Sequence, residues 1–141
     1  MTLNTVFLVS FITAAPFWGM MIFLPEWKWT RRIIRSPLIF LPSALLYAVF
    51  ALPNVIEAYR VLGSLSLTST AALFGTELFT LIIWLHFITV DLVAGRWAYL
   101  DGQEHDIPTI PMGICLLLIV MFAPLGILIY LGLRTIVSRT R

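Results

Sequence analysis

Charge is what this chain has least of. Only 11% of its 141 residues are Asp, Glu, Lys or Arg, against 60% hydrophobic, and the mean hydropathy is +0.99. Soluble domains carry roughly 25% charged residues, so the deficit excludes an ordinary soluble domain and points to an integral membrane protein. The net charge of +2 is too small to imply a nucleic-acid partner. Cysteine is nearly absent as well. Cys115 stands alone inside an apolar run, which excludes an internal disulfide and a CxxC site, leaves the redox compartment unread, and fits a small packed residue. Of the two histidines, only His86 lies in an apolar segment. A four-coordinate metal site needs three or four ligands, so no metal site is expected. No Ser-His-Asp arrangement, glycine-rich phosphate loop or HExxH occurs. The first apolar run has no basic segment before it and no small-residue cleavage site after it, and the start is not rich in Arg and Ser. It reads as a retained transmembrane helix of a bacterial or mature organellar protein rather than a targeting peptide.

What is present is length in apolar runs. A span takes about 20 residues, and four segments suffice: roughly 2–24, 38–59, 71–95 and 110–133. Short connections make successive spans antiparallel. The expectation is an all-α integral membrane protein, a single four-transmembrane-helix bundle over 1–141. Pro16, Pro42, Pro53 and Pro124 lie inside the spans and are tolerable where neighbours re-satisfy the freed backbone. Between the first two spans, Trp27 and Trp29 stand beside Lys28, Arg31, Arg32 and Arg35. That pattern reads as an interfacial aromatic belt next to a positive loop, which anchors the chain or binds an anionic headgroup. The side with the first and third loops, called side A, holds those bases and Arg96. Side B is assigned Arg60, Arg134, Arg139 and Arg141. The denser first loop places side A in the cytoplasm and both termini outside.

The third span carries most of the candidate chemistry. An intramembrane charge costs about 2.5–3.5 kcal/mol on insertion scales, so such residues face a bundle interior or a cavity and are functional candidates. At 100° per residue, Glu77, Leu81, Trp84, Ile88, Asp91 and Gly95 share one stripe, while His86 lies on another with Thr89, Val93 and Trp97. Glu77 and Asp91 are about 21 Å apart along the axis and cannot share a proton. His86 and Asp91 are five apart, a spacing that does not face them. Glu77, near its helix start, also reads as a carboxylate favoured by the helix dipole. Asp91 has no nearby base in its own segment and requires compensation by Arg96, by an arginine of the first loop, or by protonation. The Asp101–Asp106 stretch reads as a polar loop, with His105 solvated. Polar groups lie towards both ends, with Asn54, Glu57 and Glu77 in the half nearer side B and His86, Asp91 and Arg96, together with Trp27 and Trp29, in the half nearer side A, around an apolar, aromatic, proline-kinked middle. That arrangement suits a long apolar molecule with polar ends, and equally a bundle tied by hydrogen bonds at its helix ends.

The run from Trp84 to Gly102, WLHFITVDLVAGRWAYLDG, resembles the W-x-H, D-L, R and Y-x-D-G block of the plant neoxanthin-synthesis proteins, the family named for abscisic-acid-deficient mutants. Phe122–Ile127 is similar to its C-P-x-G-I segment with Ala123 in place of the cysteine, and Pro16-Phe17-Trp18 and Pro25-Glu26-Trp27 resemble its first helix and loop. The resemblance covers most of the chain and draws its specificity from residues 84–102. It implies a four-helix membrane protein associated with converting violaxanthin to neoxanthin, a reaction that opens an epoxide and forms an allene by losing a proton. The matching positions are His86, Asp91, Arg96, Tyr99 and Asp101. The resemblance implies Asp91 as acid or base, His86 as its counterpart at a separate pole, and Arg96 as an orienting or oxyanion-stabilising group. Glu77, Trp84, Trp97, Tyr99, Asp101, Trp27 and Asn54 then hold the substrate.

Three readings stand: a carotenoid or isoprenoid isomerase, a non-catalytic pigment- or lipid-binding subunit of a membrane complex, and a haem or quinone protein using His86. A bound carotenoid is the expected small-molecule companion. The partners are the lipid bilayer, a lipophilic substrate or pigment, and a second copy or larger complex. The expected location is a bacterial inner membrane or a photosynthetic membrane.

Overall fold

Residues 2–139 are described by a computed structural model; Met1, Thr140 and the tail residue Arg141 lie outside them. Every regular element among the described residues is helical. Four helical stretches are long and apolar enough to cross a membrane, as the hydropathy pattern predicts.

Helix α1 (Leu3–Phe23) is capped by Thr2, whose side chain accepts from Thr5 N, and carries Pro16 without breaking. Helix α2 (Lys28–Arg35) is short and strongly two-faced. Thr30 and Ile34 are buried against the bundle while its bases point away. The second long stretch, Pro37–Leu62, is jointed. A 3-10 turn at its start leads into α3 (Leu41–Ala51), a second 3-10 turn at Leu52–Asn54 contains Pro53, and α4 (Val55–Leu62) follows. Proline removes one backbone donor, and at this joint Asn54 Nδ2 donates to Phe50 O at 2.8 Å.

Two boundaries differ from the sequence expectation. The Ser/Thr-rich connection contains a helix, α5 (Leu67–Phe74), and the third long helix, α6, begins only at Glu77. The break falls at Gly75–Thr76, where Thr76 Oγ1 donates to Leu73 O at 2.9 Å and caps Phe79 N. At the other end α6 runs to Glu104, so Asp101 and Gly102 are helical and not part of a loop. The turn comes at His105–Asp106, with Asp106 in the left-handed region at φ 49. Asp tolerates that conformation better than most residues.

The fourth stretch, α7 (Thr109–Arg139), departs most from expectation. It is long enough to cross but is broken at Phe122, whose φ −147 and ψ 72 are not helical. Beyond the break the chain turns back. Met112 Sδ lies 2.8 Å from where a Cβ on Gly102 would sit, and yet Tyr130, a further 18 residues along, bonds to Asp101. A straight helix would separate residues 112 and 130 by about 27 Å. Pro124 and Gly126 explain the reversal. Proline lacks the N–H that a continuous helix would send to Val120 O. Gly126 allows the two arms to meet, since a Cβ there would lie 2.4 Å from Ile119 N. Ten helical residues from Met112 cover about 15 Å, which puts the turn near the level of Leu92, halfway along α6. Arg134 and Arg139 therefore belong to side A rather than side B. They join Lys28, Arg31, Arg32, Arg35 and Arg96 there, and among the described residues Arg60 is the base left on side B.

Packing follows the same asymmetry. The main core gathers Trp18, Met21, Ile34, Leu92, Tyr99, Met112, Leu116, Ile119 and Tyr130 in the side-A half. The side-B half holds two smaller clusters, around Val6, Leu81 and Leu85 and around Leu73, Phe79 and Ile82.

Candidate functional site

Helix α6 carries the candidate residues, and its neighbours decide what each can do. On side B, Glu77 is the exposed first residue of the helix, where the dipole favours a carboxylate. Trp84 is spent on helix packing. Its Nε1 donates to Ser10 Oγ at 3.1 Å, and its ring lies 5.0 Å from Phe7 and 5.2 Å from Phe11. The buried Ser10 donates onward to Phe7 O, so both partners are satisfied.

Four turns from the start of α6, Asp91 sits near the helix midpoint and therefore deep in the bilayer. It is half-buried. Among the described residues no hydrogen bond or ion pair reaches its carboxylate. The α1 contacts bracket it: Trp84 meets Ser10 below, and Gly95 meets the Trp18 ring above, where a Cβ would lie 2.2 Å from the indole. Asp91 thus stands opposite the Ala14–Ala15 stretch of α1, at the depth where α7 turns back. On the side-B side of that turn α7 is absent, and Phe87 and Val90 on the adjoining face of α6 are exposed. Asp91 is thus half-buried at the edge of an exposed face of α6, beside α1 and the α7 turn.

His86 lies within charge-interaction range of Asp91 but makes no hydrogen bond or ion pair to it. Its exposed ring is about 140° further round the helix and packs beside Tyr47 of α3 at 5.8 Å. Arg96 is committed elsewhere. Its Nε donates to Ile34 O at 2.7 Å and its Nη2 to Arg35 O at 2.6 Å, which satisfies the last carbonyls of α2. Those carbonyls carry the negative end of the α2 dipole, so a guanidinium is well placed there.

The side-A end of α6 is a polar clasp. Asp101 receives a hydrogen bond from Tyr130 and an ion pair from Arg134 Nε at 2.9 Å. His105 Nδ1 lies 2.8 Å from Asp101 O, and its Nε2 3.1 Å from Arg134 Nη2. A ring that donates from Nδ1 accepts at Nε2, so the neutral tautomer fits both contacts. His105, expected as a solvated loop residue, is instead the C-cap of α6 inside this network. Tyr99, 1% exposed, donates to Pro25 O at 2.7 Å and ties α6 to the first loop. Trp97 is 42% exposed and meets the Tyr130 ring edge-on at 5.4 Å. Trp27 is 48% exposed at the membrane interface. Asn54 caps the proline joint on the other side of the bundle and touches none of these groups.

Sequence reasoning missed Tyr130, Arg134 and His105. A signal existed, because Asp101/His105 and Tyr130/Arg134 are both i, i+4 pairs and each lines one helix face. The assumption of a straight fourth span put the two pairs on opposite sides of the membrane. No group of three His, Cys, Asp or Glu that could hold a metal comes together among the described residues.

A helical bundle with four apolar segments long enough to span a membrane defines the chain as an all-α integral membrane protein. A family model described as ABA DEFICIENT 4-like matches residues 5–130, and the chain belongs to that family. It is also 28% identical, over 144 aligned positions covering 96% of its length, to the chloroplastic protein ABA DEFICIENT 4 of Arabidopsis thaliana. The chain spans 63% of the length of that relative. No solved structure matches.

Proposed function

We propose that this protein binds a carotenoid or related isoprenoid on the exposed face of α6 beside Asp91 and isomerises it by proton transfer, in the manner of neoxanthin synthesis. The observation that carries the reading is Asp91 itself: a half-buried carboxylate near mid-membrane, without a partner among the described residues, beside a gap where α7 turns away. A structural aspartate at that depth would be tied by hydrogen bonds, as Asp101 is, because an unpaired charge in the bilayer is costly. The family membership and the name of the plant relative, which links it to abscisic-acid deficiency and the chloroplast, agree with an isoprenoid ligand.

In the isomerisation an epoxide C–O bond breaks, the oxygen takes up a proton, and a neighbouring carbon loses one as the allene forms. One proton enters and one leaves, so no oxidant or reductant is needed. Asp91 transfers one proton, and His86, further round α6 beside Tyr47 of α3, serves as the second pole. Arg96 acts as a positioning residue that holds α2 over the end of the bundle. Geometry comes first for a general acid or base, and Asp91 meets that requirement by standing open to the acyl region.

The test is to express the wild type and Asp91→Asn in a carotenoid-producing host and analyse purified protein and membrane pigments. Conversion that is lost in Asp91→Asn while pigment stays bound supports the reading. Unchanged conversion in the variant overturns the role of Asp91. A bound pigment recovered unaltered from the wild type favours the pigment-binding subunit instead, and a haem absorption band that disappears in His86→Ala favours a haem protein.

A further inference from the structure

The side-A surface carries a second site, remote from Asp91. A groove of about 230 Å³ lies between the end of α2 and the end of α6, lined by Arg35, Leu100, Gln103 and Glu104. It adjoins a wider hollow of about 470 Å³ that shares Arg35 and Gln103 and continues past Glu26, Arg31 and Thr109. Most charged groups nearby are already committed. Arg31 is paired with Glu26, and Arg96 and Arg134 hold the α2 carbonyls and Asp101. Arg35 and Glu104 differ. Both are exposed, both line the groove, and neither side chain has a hydrogen bond or ion pair among the described residues.

The depth of the groove narrows what can occupy it. Helix α6 has 28 residues, about 42 Å of rise, against a hydrocarbon core of about 30 Å and roughly 40–45 Å with headgroups. Its last turn therefore lies among the lipid headgroups. Trp27 and Trp29 mark the same level, with the Arg32 guanidinium 5.8 Å from the Trp29 ring. A groove with one open guanidinium, one open carboxylate, an amide and a leucine fits a ligand that bears an anion and a hydrogen-bonding cation a few ångströms apart on an apolar stem.

We infer that this groove binds the headgroup of a phosphatidylethanolamine. The phosphate sits on Arg35 with the Gln103 amide, the primary ammonium donates to Glu104, and the glycerol end rests on Leu100. Choline carries the same charges but has no N–H to give Glu104, so phosphatidylcholine binds less well. A purely anionic headgroup has no cation to give Glu104 and leaves that carboxylate unmatched in the groove.

The experiment reconstitutes the protein in vesicles of equal parts phosphatidylethanolamine, phosphatidylcholine and phosphatidylglycerol, extracts it in mild detergent, and quantifies the retained lipid by mass spectrometry. The wild type should retain phosphatidylethanolamine over phosphatidylcholine by about three- to tenfold, the effect of one partly screened charge-assisted hydrogen bond. Arg35→Gln and Glu104→Gln should each return the ratio to that of the vesicles, whereas Glu57→Gln, exposed on side B, should leave it unchanged. Equal retention of the two zwitterionic lipids, preference for phosphatidylglycerol, or an unaltered ratio in Glu104→Gln would overturn the inference. All three substitutions are at exposed positions, so each variant should fold.

Discussion

Two aspartates ten residues apart on α6 have opposite surroundings. Asp101 is held by Tyr130, Arg134 and His105, with its side chain only 15% exposed. Asp91 has no such partner among the described residues, although it lies deeper in the bilayer. The difference comes from α7. That helix covers the side-A half of the bundle with both its arms and leaves the side-B half to α1, the jointed second stretch, α5 and α6. The clasped half supplies rigidity, and the open half leaves a carboxylate accessible. Packing and exposure are thus distributed unevenly between two regions of one small bundle, and an underpacked region is the one that opens most readily.

The contrast breaks outright if the C-terminal arm crosses the membrane. In a Cys115→Ala background, Arg139→Cys should be labelled by a membrane-impermeant thiol reagent from the same side as Lys28→Cys and from the side opposite Ser64→Cys. Labelling with Ser64→Cys would show a straight fourth span. The positive-inside rule predicts that the side holding most of these bases is the one that is not translocated.

The turn itself gives the next largest effect. Gly126→Ala sets a methyl group against the Ile119 backbone and should lower stability by about 2–3 kcal/mol, read as loss of heat resistance in detergent. Gly132→Ala, with nothing within 4 Å, should be neutral or gain up to about 1 kcal/mol of helix propensity. Equal effects at the two glycines would mean the arms do not meet.

Removing the clasp comes third. Asp101→Asn should cost about 2 kcal/mol by weakening charged hydrogen bonds and leaving Arg134 without its counter-ion. Tyr130→Phe should lose about 1 kcal/mol through the same network. Arg96→Gln should cost about 1 kcal/mol by uncapping α2, with its effect on thermal stability and not on pigment binding. Smallest in stability is Asp91→Asn, which should leave the melting temperature unchanged or raise it, since no folded-state bond is lost and a membrane charge is removed. A destabilised Asp91→Asn would place Asp91 with Asp101 as a structural residue and remove the contrast.

Much of this was legible beforehand. The long apolar runs, the interfacial tryptophans, the basic first loop and the polar content of residues 84–102 follow from composition and periodicity, because the bilayer imposes length and backbone satisfaction on any segment that enters it. Glu77 at a helix start was equally readable, since the dipole acts locally. The boundaries of α5 and α6 were harder, because Gly75 and Thr76 interrupt a stretch whose hydropathy does not change.

The sequence by itself determined that this is a helical membrane protein of the ABA DEFICIENT 4-like family with a carboxylate in mid-segment. Only the tertiary structure decided which acidic groups are paired, that Arg96 serves α2, and that Tyr130 and Arg134 return to Asp101. The physical reason is that Pro124 marks a weak point in a helix without stating the angle taken there. The angle is set by Gly126 packing on Ile119 and by partners far away in the chain, and those long-range contacts leave no periodic trace in the sequence.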